Sequence, residues 1–259
     1  MLSILRLFCP EKPSWTVVEA AEALGIAGST TYRHFRALSD AGLIVAYAAG
    51  RYSLGPAIIE YDRQIRALDP LITAAKPVMQ KLARSMQHPG VVLLCRIYRD
   101  RVMCVDQASG STPQELVSYE RGRPMPLFRG AASKIIFAHL PARRTRALYE
   151  RFASEIAEVG LGRNWDELKS QLRALRGGIV AVTRGELDAG MIGLSAAVFG
   201  ADGEVVASIG YALHESEAVA RDFDKLRERV ARAAEATTLK LAEQAEGAWE
   251  ENSPAVAHT

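Results

Sequence analysis

No apolar run of about 18 residues, the length needed to cross a membrane as a helix, occurs anywhere in the 259-residue chain. Residues 1–9 also lack the long apolar stretch and small-residue cleavage site of a secretory leader. A cytoplasmic protein without a membrane partner is expected. Cysteine is scarce: Cys9, Cys95 and Cys104 are the three, with no C-x-x-C pair and no histidine at zinc-ligand spacing. That sets aside disulfide scaffolds and zinc folds, and Cys95 and Cys104, in apolar segments, read as buried thiols. His34, His88, His139, His214 and His258 are scattered, so no metal site is expected. A Walker loop, a dinucleotide-binding glycine pattern and a strand-elbow serine are missing too, which leaves no cofactor and no catalytic residue to propose. The net charge of only +2 argues against a polycation that coats nucleic acid, so any DNA affinity must come from a local surface. What remains, 49% hydrophobic and 24% charged residues, is an ordinary globular composition long enough for one or two domains.

The informative stretch is 16–54. Thr16 and Glu19 have capping-box spacing, in which each side chain takes the other's unpaired backbone amide. Val17, Ala20, Ala21 and Leu24 then share a helix face, and Gly25 can take the left-handed conformation that ends a helix. Over 28–42 a second helix is expected, with Thr31, Phe35 and Leu38 inward and Ser29, Arg33 and Arg36 outward. Such an outer face can donate hydrogen bonds to phosphates and to guanine edges in the major groove. Tyr32, at its margin, is suited to the DNA backbone or a thymine methyl. Two short apolar segments, 43–48 and 51–54, flank Ala49 and Gly50 as a hairpin, with Arg51 at its tip in the position of a wing residue. Together these elements spell a winged helix-turn-helix over residues 1–55, with double-stranded DNA as partner.

From Pro56, Ile58, Tyr61, Ile65 and Leu68 form an apolar stripe on a linker helix, 56–70, that packs either on a second copy of the chain or on its own domain. The pattern then predicts a helix at 71–86 containing Pro77, strands at 91–97 and 102–107, helices at 131–139, 142–152 and 165–175, and strands at 179–183, 191–199 and 205–213. A closing helix over 217–245 would carry Val219, Phe223, Leu226 and Val230 inward, and 247–259 reads as a flexible tail. Hairpin-paired strands with helices set apart imply an α+β domain, here 71–246, with an antiparallel sheet.

In order and spacing, several motifs together resemble the IclR (isocitrate lyase regulator) family of bacterial transcription factors over nearly the whole chain. They are Thr16 with Glu19 to Gly25; Ser29, Thr30, Thr31, Tyr32 and Arg33; Gly42 to Ile44; and Arg51 to Pro56. Further on come Gly122 to Leu127, Ala132 to Lys134, Ala138 to Pro141, and Gly178 through Glu186 and Gly190 to Ala196 and Phe199. The resemblance implies a GAF-like effector domain, a homodimer or dimer of dimers, and a small organic acid that alters operator affinity. It adds Thr30 to the DNA-contacting candidates Ser29, Tyr32, Arg33, Arg36 and Arg51. Gly28 departs from the cation that many relatives carry at the helix entry.

By the same resemblance, the acid would lie at the helix start Gly130, Ala131, Ala132 and Ser133, where free amides and the helix dipole favour an anion. Arg129 stands beside it, and Thr183, Gly193, Ser195, Gly210 and Ala212 are the strand positions. Relatives that bind small carboxylates tend to carry polar side chains at those strand positions. Gly193, Gly210 and Ala212 therefore predict a larger, less polar cavity, walled by Leu127, Phe128 and Met191, for an aromatic or medium-sized acid. Two alternatives stand beside this: a constitutive DNA-binding protein without effector, and an enzyme with a helical N-terminal extension that uses Ser133 with Lys134 or Glu186 with Asp188.

Overall fold

The computed structural model describes residues 1–109, 118–217 and 222–252, with side chains to residue 247. The chain divides into two compact units, Met1–Asp69 and Pro70–Thr259.

In the first unit, β1 (Trp15–Thr16) leads into α1 (Val17–Leu24), followed by α2 (Gly28–Asp40), the hairpin β2 (Ile44–Ala48) and β3 (Arg51–Leu54), and α3 (Ala57–Leu68). Both halves of the capping box form: Thr16 N donates to Glu19 Oε2 at 2.8 Å and Glu19 N to Thr16 Oγ1 at 3.2 Å. Gly25 ends α1 at φ 64°, in the left-handed region that costs glycine nothing. Ala49 and Gly50, at φ 45° and 72°, turn the hairpin with both central residues left-handed, which matches the twist of the flanking strands. A 3-10 turn, Leu2–Arg6, and the short β1, neither expected from the pattern, complete the unit. Ile4 joins Ala20, Phe35, Leu38 and Ile44 in the core, and β1 adds a third antiparallel strand in the order β1-β3-β2. The stripe on α3 stays uncovered: none of its residues is buried, and Ile58, Tyr61, Ile65 and Leu68 are 37%, 49%, 52% and 73% exposed. Only the start of this helix meets its own unit, where the Ala57 amide donates to the Gly42 carbonyl at 3.1 Å.

In the second unit the described residues supply α4 (Pro70–Ser85), β4 (Val91–Tyr98), β5 (Arg101–Ser109), β6 (Pro124–Pro126), α5 (Ala131–His139), α6 (Ala142–Glu158), α7 (Trp165–Gly177), β7 (Val180–Arg184), β8 (Met191–Phe199), β9 (Val205–His214) and α8 (Phe223–Asn252). The strands form an antiparallel sheet in the order β6-β5-β4-β9-β8-β7. Alternate residues of β4 face opposite cores: Val92 and Leu94 pack with α4 and α8, whereas Val91, Leu93 and Cys95 pack with α5, α6 and α7. Burial on both faces explains why this strand is continuously apolar from Val91 to Cys95 rather than alternating.

Several boundaries differ from expectation: α6 runs six residues further, to Glu158, and the short β6 was not expected. Ile179 is left-handed (φ 60°) and 66% exposed, so β7 begins one residue later. The closing helix starts at Phe223 after a 3-10 turn at Glu215–Glu217, and Val219 lies outside the described residues. That helix runs on to Asn252, so residues 247–252 are helical, and 253–259 lie outside the described residues. No helix among the described residues is long and apolar enough to cross a membrane.

Candidate functional site

The outer face of α2 is built from behind. Thr31, Phe35 and Leu38 are buried, with the Phe35 ring edge-on to Tyr52 of β3 at 5.0 Å between centroids. The helix is thereby fixed against the hairpin, and Ser29, Tyr32, Arg33 and Arg36 stand exposed on the other side, with Thr30 half-buried between. Arg36 makes only a loose contact of 4.0 Å with Asp40, and its side chain is 76% exposed. No side chain caps the first turn of α2, so its amides face outward as well.

Arg51 has a second role at the place where it was expected. It closes the hairpin turn opposite Ala48, and it also pairs with Thr16 of β1, which brings its guanidinium against the first strand. Nε donates to Ser14 Oγ at 2.9 Å, Nη2 donates to the Ser14 carbonyl at 3.1 Å, and Glu19 Oε2 lies 3.5 Å from Nη2. Hydrogen bonding from the Thr16 amide, helped by the Thr16 hydroxyl and by the charges of Arg51 and Lys12, holds the Glu19 carboxyl below the usual range. Arg51 thus braces the capping box, and the outward residues of the hairpin are Val45 and Tyr47, 42% and 60% exposed.

In the second unit a cavity of about 50 Å³ lies between the start of α5 and strands β7, β8 and β9. Nine of the thirteen expected effector residues line it: Gly130, Ala131, Ala132, Thr183, Met191, Gly193, Ser195, Gly210 and Ala212. Four do not. Leu127 and Phe128 belong to the core between sheet and α6, where Phe128 stacks edge-on with Phe137 at 5.0 Å. Arg129 faces solvent. The Ser133 hydroxyl is buried 2.8 Å from the Tyr119 phenol. Burial pushes that phenol's pKa well up, so Tyr119 stays a neutral hydrogen-bonding group.

The two strand glycines differ in what their missing side chains leave open. A Cβ on Gly193 would stand 3.3 Å from Thr183 Oγ1 and 3.5 Å from Ala131 Cβ, and one on Gly210 would stand 2.6 Å from the Leu194 carbonyl and 2.9 Å from Ser195 Oγ. The place at Gly210 is already filled by neighbouring atoms, whereas a Cβ at Gly193 would make tight but near-ordinary contacts, so Gly210 permits close approach of the strands and only Gly193 leaves room. The Ser195 hydroxyl is likewise committed, donating to the Ile209 carbonyl at 3.1 Å.

Sequence reasoning missed Leu93, Tyr119, Leu187, Ile192, Leu194 and Tyr211 in the lining, and it considered Glu186 and Asp188 only as a catalytic pair. Glu186 Oε2 accepts from the Gly130 amide at 3.0 Å, and Glu186 Oε1 lies 2.5 Å from Lys134 Nζ. Asp188 accepts from the Ser118 amide at 2.9 Å and from the Ser118 hydroxyl. The one sequence signal for this arrangement was the pair of flanking glycines, Gly185 and Gly190, both left-handed at φ 60° and 76°. The side chains of Ser133 and Lys134 are engaged by different partners, which removes the serine–lysine dyad. Among the described residues no group of histidine, cysteine and carboxylate side chains is arranged to hold a metal ion.

A capped helix pair with an exposed, arginine-bearing second helix and a β-hairpin wing defines a DNA-binding regulator of the winged helix-turn-helix class. Residues 66–239 match the family model described as the bacterial transcriptional regulator IclR C-terminal domain, and residues 2–45 match a helix-turn-helix domain. The chain belongs to the IclR family of transcriptional regulators. It is 26% identical over 242 residues to the HTH-type transcriptional regulator KipR of Bacillus subtilis, covering 93% of this chain and 94% of that one. Over 207 residues it is 31% identical to the HTH-type transcriptional regulator Rv1719 of Mycobacterium tuberculosis, covering 79% and 77% of the two chains. The crystal structure of an IclR transcriptional regulator from Alicyclobacillus acidocaldarius has the same fold, with a TM-score of 0.75, 21% identity, and coverage of 92% and 96%. These relatives are transcriptional regulators and not enzymes, which disposes of the enzymatic alternative.

Proposed function

We propose that this regulator binds a double-stranded operator as a homodimer or dimer of dimers, in the cytoplasm, and controls a catabolic operon in response to a small organic acid. The observation that carries the DNA-contacting assignment is the two-sidedness of α2, with Phe35 and Leu38 fully buried behind exposed Ser29, Tyr32, Arg33 and Arg36. Arginine at such positions suits guanine edges and phosphates, and the uncapped first turn, Gly28 included, offers amides to a phosphate in place of a cationic side chain. Thr30 has a secondary part at the margin. Arg51 acts on DNA only through the hairpin that it braces. The uncovered stripe of Ile58, Tyr61, Ile65 and Leu68 on α3 supports a second copy of the chain as the partner that covers it.

The acid would occupy the cavity at the start of α5. An aromatic or medium-sized acid needs more room than the 50 Å³ of the cavity, since a benzene-sized guest takes about 150 Å³. Effector binding on this reading therefore opens the site, and the difference between open and closed forms is what can shift dimer geometry and operator affinity. The small closed volume also favours a second reading, constitutive DNA binding without effector. A thermal-shift screen of aromatic and aliphatic carboxylic acids separates the two: if none stabilises the protein, the effector reading is lost.

The DNA assignment is tested with duplexes selected by the protein from a random pool. Arg33→Ala with Arg36→Ala should lower operator affinity by well over tenfold, at about 1–3 kcal/mol for each base-reading arginine. Undiminished binding in a gel shift rejects the recognition-helix assignment.

A further inference from the structure

We propose that Glu186 is a built-in stand-in for the carboxylate of the effector, and that a ligand enters by taking its place on the Gly130 amide and on Lys134. The proposal rests on the reading of the cavity as an effector site. The anion position at the start of α5 is already filled, because one oxygen of Glu186 takes the Gly130 amide at 3.0 Å and the other meets Lys134 Nζ at 2.5 Å. The rest of the strap between Gly185 and Gly190 lines the cavity with Leu187 and Asp188. Leu187 Cδ1 sits 2.6 Å from where a Cβ on Gly130 would stand, and Asp188 holds Ser118 through its amide and hydroxyl. Gly130 itself is left-handed at φ 80°, a conformation and a clearance that a side chain would deny.

Charge accounts for the selectivity. Lys134 is 12% exposed and Glu186 29%. If Glu186 swung out for a neutral guest, it would leave a nearly buried ammonium without a counter-charge, which is strongly unfavourable. A carboxylate guest replaces one negative charge by another, and Glu186, already partly solvated, returns to water. The exchange is nearly balanced only for an anion, so the strap admits carboxylates and refuses their neutral analogues. The glycines at both ends of the strap, at φ 60° and 76°, give it pivots with little steric cost.

The test uses the full chain, with benzoate, phenylacetate and pyruvate as probes, benzamide as the neutral analogue, and calorimetric titration as the readout. Glu186→Gln keeps an acceptor for the Gly130 amide but drops the charge. It should tighten carboxylate binding by about tenfold to a hundredfold, the gain when a binding-competent state populated at about 1–10% becomes dominant. Benzamide binding should not follow the same gain. Glu186→Asp, too short to reach both partners, should act in the same direction, which guards against misfolding of one variant. Lys134→Met should abolish the carboxylate preference, and saturating carboxylate should speed hydrogen exchange at the strap amides of Gly185 and Met191 in the unsubstituted protein. Equal carboxylate affinity in the Glu186 variants and the parent overturns the stand-in while leaving the cavity reading intact. Slower strap exchange on binding also overturns it, because the strap would then be closing over the ligand. If neither parent nor variants bind any of the carboxylates, the cavity reading fails and takes the stand-in with it.

Discussion

Replacing Phe35 by alanine should strongly destabilise the DNA-binding unit while leaving the rest of the chain folded. The ring is fully buried, stands edge-on to Tyr52 at 83°, and belongs to a core whose other fully or nearly buried members are Ile4, Ala20, Leu38 and Ile44. Truncation of such a ring costs about 3–5 kcal/mol, the lost transfer energy plus the cavity left behind. A unit of 69 residues has a stability of about 3–10 kcal/mol on the usual per-residue scale, so one substitution removes a large part of it. Hydrogen exchange of the α1 and α2 amides in the full chain is the assay, and at 1.4 kcal/mol per decade the expected acceleration is about a hundredfold to a few thousandfold. Tyr32→Ala is the control: the same helix, an aromatic side chain of similar size, 58% exposed, and an expected change within about 0.5 kcal/mol. If both substitutions speed exchange equally, or if Phe35→Ala changes it by less than tenfold, α2 is not held from behind as described. The experiment also separates two ways of losing DNA binding, since the Arg33 and Arg36 substitutions should leave amide protection unchanged.

Two further outcomes follow from the second unit. Gly130→Ala should destabilise it by about 1–3 kcal/mol from backbone strain alone, with more from the Leu187 clash, and should increase protease sensitivity across 185–190; a variant with parental melting temperature and strap protection would contradict this. Native thiol titration should label exposed Cys9 promptly, and Cys95 and Cys104 only on unfolding, because burial of both and the raised pKa of Cys95 keep the reactive thiolate scarce; prompt labelling of all three would mean that β4 and β5 are not packed as found.

Local sequence determined those features whose partners lie within a helical turn or a tight bend. Thr16 and Glu19 are three residues apart, Gly25 ends its own helix, Ala49 and Gly50 turn their own hairpin, and the spacing of Thr31, Phe35 and Leu38 separates the two faces of α2 without reference to any other segment. Tertiary structure decided whatever depends on register and on distant neighbours. Arg51 stands where a wing contact was expected, yet pairing with β1 turns it onto Ser14, 37 residues away. Gly210 spells an enlarged cavity along the chain, yet the Leu194 carbonyl and Ser195 fill that place across space. Glu186 meets the Gly130 amide across 56 residues, and no periodicity carries such a contact. A side chain's reach along its own helix or turn is set by fixed local geometry, whereas what it meets across a sheet depends on how every intervening element has packed.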